Sequence, residues 1–110
     1  MERIILKRLV LFCEKFGQLI HSGIPILETF EVLKNEFRDD IICVTGIKQM
    51  ETNVNNGVSL VNENLVLFAT SFSQALIDAG EKKGTLDYCL LRIAKAYEKE
   101  LLLTKPDSIV

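Results

Sequence analysis

Apolar residues recur at steps of three and four along almost the whole chain, and the strict alternation of a half-buried strand is found nowhere. That spacing gathers them on one face of an α-helix, which turns once in about 3.6 residues, and scatters them over both faces of a strand. Leu9, Phe12, Cys13, Phe16, Leu19 and Ile20 make the first stripe, on a helix expected over residues 3–22. Gly23 follows as a residue able to take the left-handed conformation past a helix end. Pro25 then opens a second helix, expected over residues 25–37, without sacrificing a needed N–H. Its stripe is Ile26, Phe30, Leu33 and Phe37.

The same punctuation continues downstream. Asp39 and Asp40 are N-cap candidates for a third helix carrying Cys43, Ile47, Met50 and Val54, which ends at Asn55-Asn56-Gly57. Ser59 is expected to cap a short fourth helix over residues 60–65, with Asn62 standing where a capping box wants Glu or Gln. A fifth, over residues 70–79, presents Phe72, Ala75, Leu76 and Ala79, and Gly80-Glu81-Lys82-Lys83-Gly84 is expected to be the link that follows. Thr85 caps a sixth helix with Asp87 in its first turn, where a carboxylate suits the helix dipole, and Leu86, Leu90, Ile93, Ala94 and Tyr97 as its stripe. Leu19 to Gly23 echoes Leu76 to Gly80, a pattern open to a pseudo-repeat of hairpins but read slightly in favour of chance, since Leu, Ile and Gly are common. The expectation is an all-α bundle of six up-and-down antiparallel helices with short connections.

Composition narrows the class. At 110 residues the chain has room for one domain, and 48% hydrophobic with 25% charged residues is a globular balance. A formal charge of −2 argues against nucleic-acid binding, which wants a basic surface. No apolar run approaches the roughly 18–20 residues of a membrane span. Lys7-Arg8 interrupts the N-terminal apolar stretch, so no export signal is read and the chain is placed in the cytosol. Cys13, Cys43 and Cys89 lack metal or redox spacing and read as reduced thiols.

Residues that could carry chemistry are few. His21 is the only histidine, at a helix end where imidazoles commonly meet carbonyls or solvent. The Gly80–Gly84 segment lacks the Lys-Ser/Thr ending and the preceding strand of a phosphate loop. Glu81, read as lying in the link, could bind a hard cation or accept backbone N–H bonds at the start of the sixth helix, the second role being favoured. Asp87 has the same two roles, with capping favoured. The mixed-charge faces around Glu28 and Glu31, and around Arg92 and Lys95, are either solvated helix surface or docking surface for a protein partner.

Three segments together resemble a known family. They are Leu19-Ile20-His21-Ser22-Gly23-Ile24-Pro25-Ile26-Leu27-Glu28-Thr29-Phe30, then Val54-Asn55-Asn56-Gly57-Val58-Ser59-Leu60, then Ala79-Gly80-Glu81-Lys82-Lys83-Gly84-Thr85-Leu86-Asp87. In order and spacing they are similar to the bacterial type II secretion F domain of the inner-membrane platform protein in type II secretion and type IV pilus machines. The resemblance spans roughly residues 9–100 and marks Gly23, Pro25, Gly57, Ser59, Gly80, Gly84 and Asp87 as motif positions. It implies a non-enzymatic cytoplasmic six-helix domain, expected here over residues 1–104, with residues 105–110 starting a linker toward a transmembrane helix outside this chain. It implies as partners the assembly ATPase and other inner-membrane assembly proteins, a homodimer, and membrane attachment through the rest of a full-length protein. Some members bind calcium through carboxylates at a domain interface, and Glu81 is the matching position; no other cofactor is implied. The chain departs from the family pattern in starting almost directly with the first helix, in carrying Asn64 where Ala is usual, and in lacking a Pro before Phe68. These departures point to a type IV pilus branch. Two other readings stand beside this one: a free-standing soluble helical adaptor, and an enzyme using His21 with Glu81 or Asp78.

Overall fold

The computed structural model describes residues 3–62, 65–68 and 70–103. Five helices account for most of them: α1 (Arg3–His21), α2 (Ile26–Glu36), α3 (Ile41–Asn55), α4 (Ser71–Lys83) and α5 (Leu86–Leu103). No strand occurs among the described residues. The antiparallel pair α1 and α5 is the backbone of the bundle, with α4 packed on α5 and α2 on both α1 and α3. Its centre is aromatic. Phe12 meets the rings of Phe16, Phe37 and Phe68 at centroid distances of 5.8, 5.3 and 6.1 Å. Leu6, Leu33, Ile47, Met50, Leu90 and Ile93 close around that cluster, all fully buried.

The helix count corrects the sequence expectation. Residues 60–62 and 65–68 are not helical, so Ser59 caps no fourth helix; residues 63 and 64, with Asn64, lie outside the described residues. Instead residues 58–62 and 65–68 form an irregular strap along the bundle, and beyond it the Thr70 hydroxyl sits 2.8 Å from the Tyr97 hydroxyl. The strap keeps the up-and-down order while replacing the fourth helix. Its apolar residues Leu60, Val61, Leu65, Leu67 and Phe68 are all buried, and their spacing makes no single helical stripe. Buried backbone polar groups need partners, and long polar side chains on the helices provide them. Asn53 Nδ2 donates to the Leu60 carbonyl (2.9 Å), the Val66 N–H donates to Gln49 Oε1 (3.0 Å), and Gln74 Nε2 donates to the Phe68 carbonyl (2.8 Å). Among the described residues no buried side-chain nitrogen or oxygen lacks a partner.

Two further corrections concern α4. The helix runs through Gly80 to Lys83, so the link to α5 shrinks to Gly84-Thr85 and the Gly23–Gly80 echo is not structural. Gly80 serves close approach: a Cβ there would come within 3.0 Å of both Leu86 Cα and Cys89 Sγ. The buried face of α4 is Ser73, Ile77 and Gly80, while Phe72 stays 46% exposed with its ring edge-on to Tyr97. Of the stripe Phe72, Ala75, Leu76, Ala79 only Leu76 packs against the core; the buried face is turned toward Ser73, Ile77 and Gly80, and it is at Gly80 that α5 comes close. The expected linker over residues 105–110 lies outside the described residues. Among the described residues no helix is long and apolar enough to cross a membrane.

Candidate functional site

Three helices end in the same way at the same end of the bundle. After α1, the Ile24 N–H donates to the Leu19 carbonyl and the Gly23 N–H to that of Ile20. After α3, Val58 donates to Asn53 and Gly57 to Val54; after α4, Thr85 and Gly84 both donate to Gly80. Gly23, Gly57 and Gly84 take φ of 85°, 70° and 71°, the left-handed turn that closes a Schellman or related C-cap and satisfies the last carbonyls of the helix. These are the three motif segments of the sequence, brought from 60 residues apart to one place by the parallel run of α1, α3 and α4. Pro25 stands at the N-cap of α2, its carbonyl accepting the Thr29 N–H.

The turns wall an open cleft of about 640 Å³. Ile20, Ile24, Val54, Val58, Leu60 and Leu86 give it an apolar lining, and among the described residues its charged lining is Glu81 and Asp87. Glu81 stands in the last turn of α4, not in a link. Its Oε1 accepts the Ser59 hydroxyl at 2.8 Å, and both carboxylate oxygens accept the Leu60 N–H at 3.0 Å. It therefore accepts a backbone N–H, as favoured from sequence, but from the strap after α3 and not from the last helix. Asp87, in the first turn of α5, accepts from the Tyr88 N–H at 2.9 Å and meets His21 Nδ1 at 2.9 Å. The hydrogen bond from His21 holds the Asp87 carboxyl below the usual carboxylate range. The two carboxylates thus tie α4 to the strap and α5 to the end of α1.

Neither pairing of the enzyme reading is formed. His21 meets Asp87, and Asp78 is engaged with Lys82 one turn on, at 2.9 Å. Among the described residues no group of three His, Cys, Asp or Glu side chains could hold a metal ion. Cys13, Cys43 and Cys89 are free thiols, and burial pushes Cys43 up to about 12 and Cys13 higher still.

The candidate docking faces lie apart from the cleft lining. Glu28 and Glu31 are exposed on α2, and Arg92 and Lys95 are exposed on α5. Glu31 reaches Lys34 at 2.7 Å, and Lys34 reaches Glu51 of α3 at 2.9 Å. The Lys34 contact keeps the Glu31 carboxyl below its ordinary range. The His21–Asp87 bond and the clasp on Leu60 were not anticipated from sequence. The signal for their meeting place was present, in a glycine followed by Ile24, Val58 or Thr85 after each of three helices.

The family model described as Type II secretion system (T2SS), protein F matches residues 12–105. No curated protein and no solved structure matches the chain.

Proposed function

The chain belongs to the type II secretion system protein F family, and we propose that it serves as a non-enzymatic cytoplasmic domain of an inner-membrane platform protein. In this reading it links an assembly ATPase to the membrane subcomplex while pilin-like subunits are added, in a type IV pilus or a type II secretion machine. The observation that carries it is the family match over residues 12–105. The convergence of the three motif segments on one end of the bundle supports it, since it gives those residues a common structural purpose. Packed helices deform little, so such a domain passes on a push as a rigid body. A homodimer belongs to the same reading, and sedimentation equilibrium tests it.

The deciding experiment is charge reversal on the two exposed faces in the host protein, Glu28→Lys with Glu31→Lys, and separately Arg92→Glu with Lys95→Glu. Surface pairs of this kind contribute little to stability, so both variants keep the helical fold by circular dichroism. The reading expects at least one of them to lose co-purification of the ATPase together with filament assembly or secretion. Unchanged ATPase capture and assembly in both variants would remove these faces as the docking site.

A further inference from the structure

Among the described residues six of the exposed large aliphatic side chains gather at one end, while Leu11, Leu27, Val32, Val58 and Val66 are spread over the rest of the molecule. Ile4, Ile5, Ile41, Ile42, Leu102 and Leu103 lie on the first turns of α1 and α3 and the last turn of α5. Two contacts bring those three helix ends together: Arg3 Nη1 donates to the Leu101 carbonyl at 2.7 Å, and Arg8 Nε to Asp40 Oδ2 at 2.7 Å. The six therefore crown one end of the bundle, opposite the cleft. Three of them are largely bare, Ile4 at 67%, Ile41 at 75% and Leu103 at 76% exposure. Scattered exposed aliphatics are ordinary, whereas a group of them at one end marks an interaction surface.

Charge says what kind. Residues 3–8, 38–42 and 99–103 hold Arg3, Lys7, Arg8, Arg38 and Lys99 against Asp39, Asp40 and Glu100, a positive balance in a chain of net charge −2. Among the described residues Lys7, Arg38 and Lys99 make no ion pair, and all three are exposed. We propose that this end of the bundle rests on a phospholipid surface carrying anionic headgroups. The aliphatic side chains enter the boundary between headgroups and acyl chains, and the cations pair with phosphates. Apolar side chains interspersed with lysine and arginine are the requirement for such peripheral contact. A two-fold contact with a second copy suits the surface less, because an isologous interface would set the same cations against each other. The proposal takes its cellular setting from the platform reading, but the contact belongs to these residues and is testable on the chain alone.

The test is co-sedimentation of the 110-residue chain with vesicles of phosphatidylglycerol and phosphatidylethanolamine in equal parts, and with vesicles of phosphatidylcholine. The chain is expected to bind the anionic vesicles at least about tenfold more tightly than the neutral ones. The triple variant Ile4→Ser, Ile41→Ser, Leu103→Ser, and the separate triple variant Lys7→Glu, Arg38→Glu, Lys99→Glu, should each lose about tenfold or more. Lys83→Glu, a reversal of an exposed cation at the cleft end, should keep the binding, and circular dichroism should show all variants folded. Absent binding to anionic vesicles, or binding that neither triple variant weakens, would overturn the proposal. So would a dimer in sedimentation equilibrium that the serine variant dissociates while no form binds vesicles, since the surface would then belong to a second copy. Absent vesicle binding, with ATPase capture still lost on charge reversal of α2 or α5, removes this proposal alone; vesicle binding as expected, with ATPase capture untouched by those reversals, removes only the docking faces of the platform reading.

Discussion

The two ends of the bundle are built on opposite plans. At the cleft end three glycine turns close three helices, and Glu81 and Asp87 fasten the neighbouring segments by hydrogen bonds of 2.8 to 3.0 Å. At the other end Arg3 and Arg8 make the ties, and six large aliphatic side chains remain exposed. The first end spends its special residues on its own geometry. The second leaves apolar area and positive charge facing outward. Motif residues gather where the fold makes conformational demands, whereas a contact surface needs only side chains of the right chemistry and so leaves no motif to notice.

The comparison can be broken outright at the centre. Phe12 is fully buried and touches three other rings, from α1, from the turn before α3 and from the strap. Phe12→Ala should cost about 3–5 kcal/mol, the range for large-to-small aromatic changes in a core, and should loosen both ends together in urea unfolding. A smaller effect falls on one end only. Gly84→Ala forces a Cβ onto a residue at φ 71°, with open space around it, so the cost is conformational, about 1–2 kcal/mol. Hydrogen exchange should speed up around the α4–α5 turn and stay unchanged at the start of α1. Uniform acceleration would mean that the two ends are not independent.

What was legible in the sequence follows the same division. The stripes of α1, α2, α3 and α5 were readable because each repeats at helical spacing toward a common core, as in Leu9, Phe12 and Phe16 of α1 or Leu90, Ile93 and Tyr97 of α5. The strap was not, because Leu60, Val61, Leu65, Leu67 and Phe68 are buried by a segment whose backbone is satisfied from Asn53, Gln49, Gln74 and Glu81. Those partners stand 6 to 21 residues away on flanking helices, beyond one helical turn, and local propensity carries no record of them. Gly80 looked like a helix stop because glycine has two uses, positive φ and close approach, and spacing alone does not separate them. The positions of Glu81 and Asp87 near the glycine turns were legible, but not their partners, since Ser59 and His21 arrive through tertiary packing.

Each end also holds one aspartate whose carboxyl lies below its ordinary range, and acid should separate them. For Asp40, burial alone would raise the value, but the bond and charge of Arg8 and the hydrogen bond from the Cys43 N–H outweigh it. Asp87 is lowered chiefly by His21. Both folded values sit below the unfolded one, so each aspartate contributes stability that is present above the unfolded value of about 3.9 and lost as pH falls through the folded value. Asp40→Asn removes the charged partner of Arg8 while leaving a side chain that caps α3 about as well, so the expected loss near neutral pH is the ion pair's, up to about 1 kcal/mol. Asp87→Asn should cost less, because its partner is more exposed. Urea midpoints of both variants should converge on the parent protein as pH drops below the unfolded carboxylate value. A gap that persists in acid would show that packing, and not charge, distinguishes the variants.

The smallest expected effect sharpens the comparison most. Ile41→Ser and Leu103→Ser, made singly, remove side chains that are three-quarters exposed, so each should change stability by less than about 0.5 kcal/mol, as surface substitutions generally do. The equivalent change at Leu60, which the cleft end buries almost completely, has no such freedom. If thermal unfolding shows Ile41→Ser or Leu103→Ser to be as costly as a core change, those side chains are buried against more of the protein's own chain, and the aliphatic end is part of the fold. If the cost is negligible, the side chains are kept for something other than folding stability, and the contact they make outside the chain is the one left to measure.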